Sequence, residues 1–107
     1  MEKKFILLVD DNEMVRESLG EVLSTGGYAV TLAESGEDAI VRLHDAHFNL
    51  VITDLRMGDV DGIRIVEEAK RIDPLISVIV VTGHGDMDTA INALRPSMHC
   101  GSVRMIT

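Results

Sequence analysis

The sequence predicts an α/β fold, a doubly wound parallel sheet with helices on both faces. Three observations lead there. Short apolar runs alternate with stretches of helical periodicity as far as about residue 95. The runs are continuous rather than alternating in polarity, as in strands covered on both sides. Apart from Phe5, Tyr28 and Phe48, the apolar residues are all aliphatic or Met, so the core must be aliphatic. At 107 residues, 46% hydrophobic and 26% charged, the chain has the composition of one globular domain with one core.

"KKFILLV" opens the chain as the first strand. Val15, Leu19, Val22 and Leu23 then recur at helical spacing, with Arg16, Glu17 and Glu21 on the other side. Asp11 or Asn12 can cap that helix, and Gly26-Gly27 ends it. "YAVTLA", residues 28–33, reads as the second strand. Ser35 with Asp38 makes a capping box for a second helix through Ala39, Ile40 and Leu43. "LVIT" is the third strand, and Ile63, Val66 and Ala69 mark a third helix closed by Asp73-Pro74. "SVIVV", residues 77–81, is the fourth strand and residues 87–94 a fourth helix, stopped by Pro96 because proline supplies no amide donor. Residues 1–95 are thus expected to form the domain core. Residues 96–107 form an atypical tail whose weak strand candidate is Val103 to Ile106.

Composition also excludes functions. A net charge of −8 argues against direct nucleic-acid binding, which needs a basic face; it suits a divalent cation or a basic protein surface. Cys100 is the only cysteine, so neither an internal disulfide nor a zinc spacing exists. His44, His47 and His99 form no metal spacing either, and His84, in a glycine-flanked loop, reads as a solvent-exposed or loop-packing residue. The apolar run near the N-terminus stops after five residues at two aspartates, too short for a signal peptide, and no stretch approaches a membrane span. A cytoplasmic protein is expected. Neither a P-loop nor a Gly-x-Gly-x-x-Gly turn follows the first strand, which disfavours nucleotide binding.

The informative residues sit at strand ends. The first strand runs into Asp10-Asp11, the third into Asp54 and the fourth into Thr82-Gly83. Ligands of open parallel sheets bind beyond the carboxyl ends of the strands, where strand order reverses. If the first and third strands are neighbours, three carboxylates converge there. Such an oxygen-rich cluster suits Mg²⁺. A metal would let an anionic phosphoryl group approach an aspartate nucleophile, with the Thr82 hydroxyl and backbone amides able to hold phosphoryl oxygens.

"ILLVDDNE", "VITDLRMGDVDG" and "VIVVTGHGD" resemble, in order and spacing, three successive motifs of the response-regulator receiver domain of two-component signalling. "TGHGD" is similar to receivers of the nitrogen-regulation type. The resemblance implies a flavodoxin-like receiver fold with strand order 2-1-3-4-5. It implies Asp54 as phosphoacceptor, and Mg²⁺ held by Asp11, Asp54 and the main-chain carbonyl of Arg56, with Asp10 acting through water. Thr82 would be the switch hydroxyl. The implied partners are a sensor histidine kinase and a downstream output protein or domain, with transcription regulation as the setting. The module would be no enzyme beyond its own phosphorylation and dephosphorylation.

The chain departs from the family pattern in places. Gly58 stands where proline usually follows Met57. No lysine follows Lys70 and no aromatic follows Phe48, whereas the family places a lysine after its fifth strand with an aromatic before it. Arg104 is the candidate replacement cation, although a guanidinium is not equivalent to an ammonium. A fifth strand and helix are expected to be missing or atypical, as in a truncated or frame-altered receiver. Without a fifth strand, the fourth would be an exposed edge inviting homodimerisation, unless Val103 to Ile106 fills it. Two other readings stand beside the receiver. A haloacid-dehalogenase-like phosphatase wants a second aspartate where Arg56 stands. A receiver-like binding module that is never phosphorylated would explain the missing lysine.

Overall fold

The computed structural model describes residues 3–54, 62–81 and 103–106. The described elements run β1 (Phe5–Val9), α1 (Glu13–Thr25), β2 (Ala29–Ala33), α2 (Gly36–Asp45), β3 (Leu50–Asp54), α3 (Gly62–Ile72), β4 (Ser77–Val81) and β5 (Val103–Ile106). The strands form one sheet in the order β2-β1-β3-β4-β5, parallel at every pairing. Strand order therefore reverses at β1, between β2 and β3. The expected helix over residues 87–94 lies outside the described residues.

One face of the sheet carries the core. Leu7, Val9, Val51, Val78 and Val80 point to it and meet Ala39 and Leu43 of α2 and Ile65, Val66 and Ala69 of α3, all buried. Leu8, Leu32, Ile52 and Ile79 share the other face, as their register requires. There α1 lies against β2 and β1, so closely that a Cβ on Gly20 would stand 2.9 Å from Leu32 Cδ2. Helices cover both faces, as the apolar strands predict.

The turns form as the sequence suggests. Asn12 Oδ1 accepts from the Val15 amide and caps α1. At the other end Gly27 N–H donates to Ser24 O and Tyr28 N–H to Leu23 O, with Gly27 at φ 96°; this is a Schellman motif, where glycine avoids the left-handed penalty. Ser35 Oγ accepts from the Asp38 amide. The Asp38 carboxylate reaches back to the Glu34 amide, 3.3 Å, one residue before the cap rather than to the cap itself. Lys70, buried at the end of α3, donates Nζ to the Ile76 carbonyl and ties α3 to the start of β4. On the α2–α3 seam Glu68 meets His44 at 3.0 Å and also Arg71; the Arg71 hydrogen bond holds its carboxyl below the ordinary value.

Two expectations are corrected. Of the Val15, Leu19, Val22 and Leu23 stripe only Leu23 turns inward: Met14 and Val22 are 78% and 66% exposed, whereas Gly20 is buried and Arg16 and Leu23 are half-buried. The close approach at Gly20 turns the helix so that positions 16, 20 and 23 face the sheet. The fourth strand is not an edge either. Val103 to Ile106 pair with Val78 to Val81, so the strand edge lies at β5 and the predicted homodimer through an exposed fourth strand loses its basis.

Candidate metal centre

β1 and β3 are parallel neighbours with Val9 level with Thr53. Their next residues, Asp10 and Asp54, therefore leave the sheet side by side at its carboxyl end. Oxygens of Asp10, Asp11 and Asp54 lie within 4.8 Å of one another; Asp10 and Asp54 are half-buried and Asp11 is exposed. This is the point at which strand order reverses, the place where such sheets bind ligands.

Local hydrogen bonding explains how the turn presents these groups. The Asp10 amide donates to Ala33 O at 3.2 Å, extending the β1–β2 pairing by one residue. Its Oδ1 accepts from the Asn12 amide at 2.9 Å. Because Asn12 takes the capping position, Asp11 is not needed as the cap and its carboxylate is left for the cluster. Thr53, fully buried, donates Oγ1 to Asp54 O at 3.0 Å, so the residue below the acid carries its own polar satisfaction.

Like charges do not gather without cost. Two carboxylates ~5 Å apart repel by roughly 3 kcal/mol at an effective dielectric of 20. A hard cation reverses that balance. Octahedral Mg²⁺ with oxygens at 2.0–2.1 Å places cis ligand oxygens about 2.9 Å apart and trans ones about 4.2 Å apart, so carboxylate oxygens that lie within 4.8 Å of one another reach those spacings by side-chain adjustments of at most about 2 Å. The donors are all carboxylate oxygens, the chemistry Mg²⁺ takes. The residues fit the ion.

Of the five residues singled out in the sequence, Asp10, Asp11 and Asp54 come together; Arg56 and Thr82 lie outside the described residues. Arg104 does not stand at the strand tip. Its backbone pairs with Ile79, two residues below Val81, or about 7 Å along the strand. One residue that the sequence assigned only to the polar side of the first helix belongs to this turn. Arg16 donates Nη1 to the Asp10 carbonyl at 2.8 Å and is part-buried. Its only signal was a cation in the first turn of a helix, the end where the dipole disfavours one.

Residues 6–100 match the family model for the response regulator receiver domain. The transcriptional regulatory protein ZraR of Salmonella typhimurium is 38% identical over 90 residues, 84% of this chain and 20% of that protein. The transcriptional regulatory protein GlrR of Escherichia coli is 39% identical over 88 residues, again 20% of its length. The chain thus spans about a fifth of these curated relatives. Among solved structures, a receiver domain protein of Clostridium thermocellum superposes with a TM-score of 0.83 at 30% identity, covering 95% of this chain and 81% of its own. The response regulator TrrA of Thermotoga maritima, solved in complex with Mg²⁺ and BeF, gives 0.79 at 27% identity, covering 97% and 86%. With three acids at the switch point of a 2-1-3-4-5 sheet and a family match over most of its length, the chain belongs to the response regulator receiver domain family.

Proposed function

We propose that the chain is a phosphoacceptor module in which Asp54 receives a phosphoryl group from the phosphohistidine of a sensor histidine kinase. The observation that carries this reading is the convergence of Asp10, Asp11 and Asp54 at the carboxyl ends of β1 and β3. An oxygen of Asp54 attacks phosphorus while the bond from phosphorus to the kinase's imidazole nitrogen breaks, its electron pair staying with the ring. β3 delivers the nucleophile rigidly, since Asp54 is paired with Val81 on one side and its neighbour Thr53 is fully buried. Asp11 and Asp54 would hold Mg²⁺ directly, together with the Arg56 carbonyl, and Asp10 would do so through water. Bound Mg²⁺ supplies the positive charge that lets a phosphoryl anion enter an acidic pocket. The Thr82 hydroxyl then donates to the phosphoryl group and couples modification to the surface a partner reads.

That the Thermotoga relative was solved in complex with Mg²⁺ and BeF supports the same ion for this chain. Relatives named as transcriptional regulators support an output in transcription, exerted by a partner or by a further domain. Membership of the receiver family supports a cytoplasmic setting.

The test is incubation with Mg²⁺ and acetyl phosphate, read by intact mass beside Asp54→Asn. One phosphoryl adduct on the parent and none on the variant is the expected result. A folded parent that takes up no phosphoryl group overturns the reading and favours a binding module that is never phosphorylated.

A further inference from the structure

We propose that Arg16 is a positioning residue for the acidic site, clamping the β1–α1 turn so that the Asp11 carboxylate stays with those of Asp10 and Asp54. The proposal rests on the Mg²⁺ reading of that site and adds a residue to it.

Arg16 contradicts its surroundings in two ways. From residue 11 to residue 19 every side chain is exposed except Arg16, which is half-buried. The charge is turned inward while its apolar neighbours Met14, Val15 and Leu19 face solvent, the reverse of what the hydrophobic effect selects. Arg16 also sits in the first turn of α1, where the helix dipole opposes a cation. A residue held against both preferences is held by something local.

That something is the acidic turn. The Arg16 side chain donates Nη1 to the Asp10 carbonyl at 2.8 Å. Its backbone amide donates to the Asn12 carbonyl at 2.9 Å. The guanidinium thereby secures the carbonyl before Asp11, while the carbonyl after it is held by the first backbone hydrogen bond of α1. Asp10 is further secured by its amide to Ala33 O and its Oδ1 to the Asn12 amide, and Asp54 belongs to a strand paired on both sides. Asp11 is the exposed member of the cluster and the one with most freedom to swing away from two like charges. The guanidinium is a suitable clamp because a charged donor makes the stronger hydrogen bond to a carbonyl.

The clamp predicts a metal phenotype for a residue that touches no metal. In isothermal titration of the 107-residue protein with MgCl₂, Arg16→Ala should raise the dissociation constant about tenfold, the lower end of what outer partners of metal ligands contribute. Arg16→Lys, whose ammonium can still donate to the Asp10 carbonyl, should recover most of that loss. Phosphorylation of Arg16→Ala by acetyl phosphate should need more Mg²⁺ yet reach the parent rate once Mg²⁺ saturates. A purely structural role would lower the unfolding midpoint and leave the Mg²⁺ constant unmoved, and that result overturns the proposal. If Arg16→Ala does not fold, Arg16→Gln takes its place; a constant equal to the parent's again overturns it. A parent that binds no Mg²⁺ refutes the site reading itself and the clamp with it, an outcome visible before any variant is made.

Discussion

Gly20 and Gly27 separate two demands that glycine can meet, room and backbone conformation. A Cβ on Gly20 would lie 2.9 Å from Leu32 Cδ2, but that atom is the free end of a half-exposed side chain on the edge strand β2. Alanine gains up to about 1 kcal/mol of helix propensity there. Displacing Leu32 from its rotamer costs about 0.5–1.5 kcal/mol. Gly20→Ala should therefore change stability by less than about 1 kcal/mol. Gly27 has nothing within 4 Å of its would-be Cβ, yet its φ is +96°. Gly27→Ala should destabilise by about 1–2 kcal/mol through the backbone alone. Urea midpoints at unchanged slope compare the two; a larger loss at Gly20 would mean that packing, not conformation, dominates this end of the helix. Asn12 shows the same division of labour, since its capping of α1 is what releases Asp11 for the metal site.

Among the elements, the joint between α3 and β4 adds a buried cation to its backbone hydrogen bonds at Asp73 and Ile76. Lys70 sends Nζ to the Ile76 carbonyl, and both residues are buried. Lys70→Met keeps most of the packed stem but removes the donor from that carbonyl, so equilibrium unfolding in urea should show a loss of about 1–3 kcal/mol. A neutral result would mean that water or another amide replaces the ammonium. Nothing in the sequence marks Lys70 as buried, because periodicity reports apolar positions and says nothing of a charge folded inward. The burial of Arg16 escaped notice for the same reason. By contrast, β1, β3, β4, the ends of α1 at Asn12 and Gly26-Gly27 and the start of α2 at Ser35 were all legible, since each is set by residues adjacent in sequence. The side of α1 that faces the sheet was misread because a glycine, not an apolar residue, makes the contact with Leu32. β5 was only faintly legible: its four residues owe their strand to pairing with β4, a contact across some twenty-five residues of sequence.

For the molecule as a whole, the acidic site sets function against stability, and the sign of that opposition is measurable. The strand-end acids were legible because a parallel sheet must expose its carboxyl ends together; that they meet depends on β1 and β3 being neighbours, which alternation of strands and helices does not decide. In the absence of metal, three carboxylates within 4.8 Å strain a protein whose net charge is already −8. Asp54→Asn removes one of them, and in EDTA it should raise stability by about 1–2 kcal/mol, the Coulomb repulsion reduced by screening and relaxation. Mg²⁺ should act in the opposite sense on the two proteins' ranking. At ten times its dissociation constant, a ligand bound only by the folded state adds about 1.4 kcal/mol, which for a domain near this size raises the melting temperature by roughly 6–11 °C. The parent should gain that increment, while Asp54→Asn, short of one ligand, should gain little. Thermal scans of both proteins in EDTA and in MgCl₂ therefore form a cycle. If the variant is no more stable than the parent without metal, the three acids are not held against their own repulsion. If both gain equally from Mg²⁺, the ion binds without Asp54.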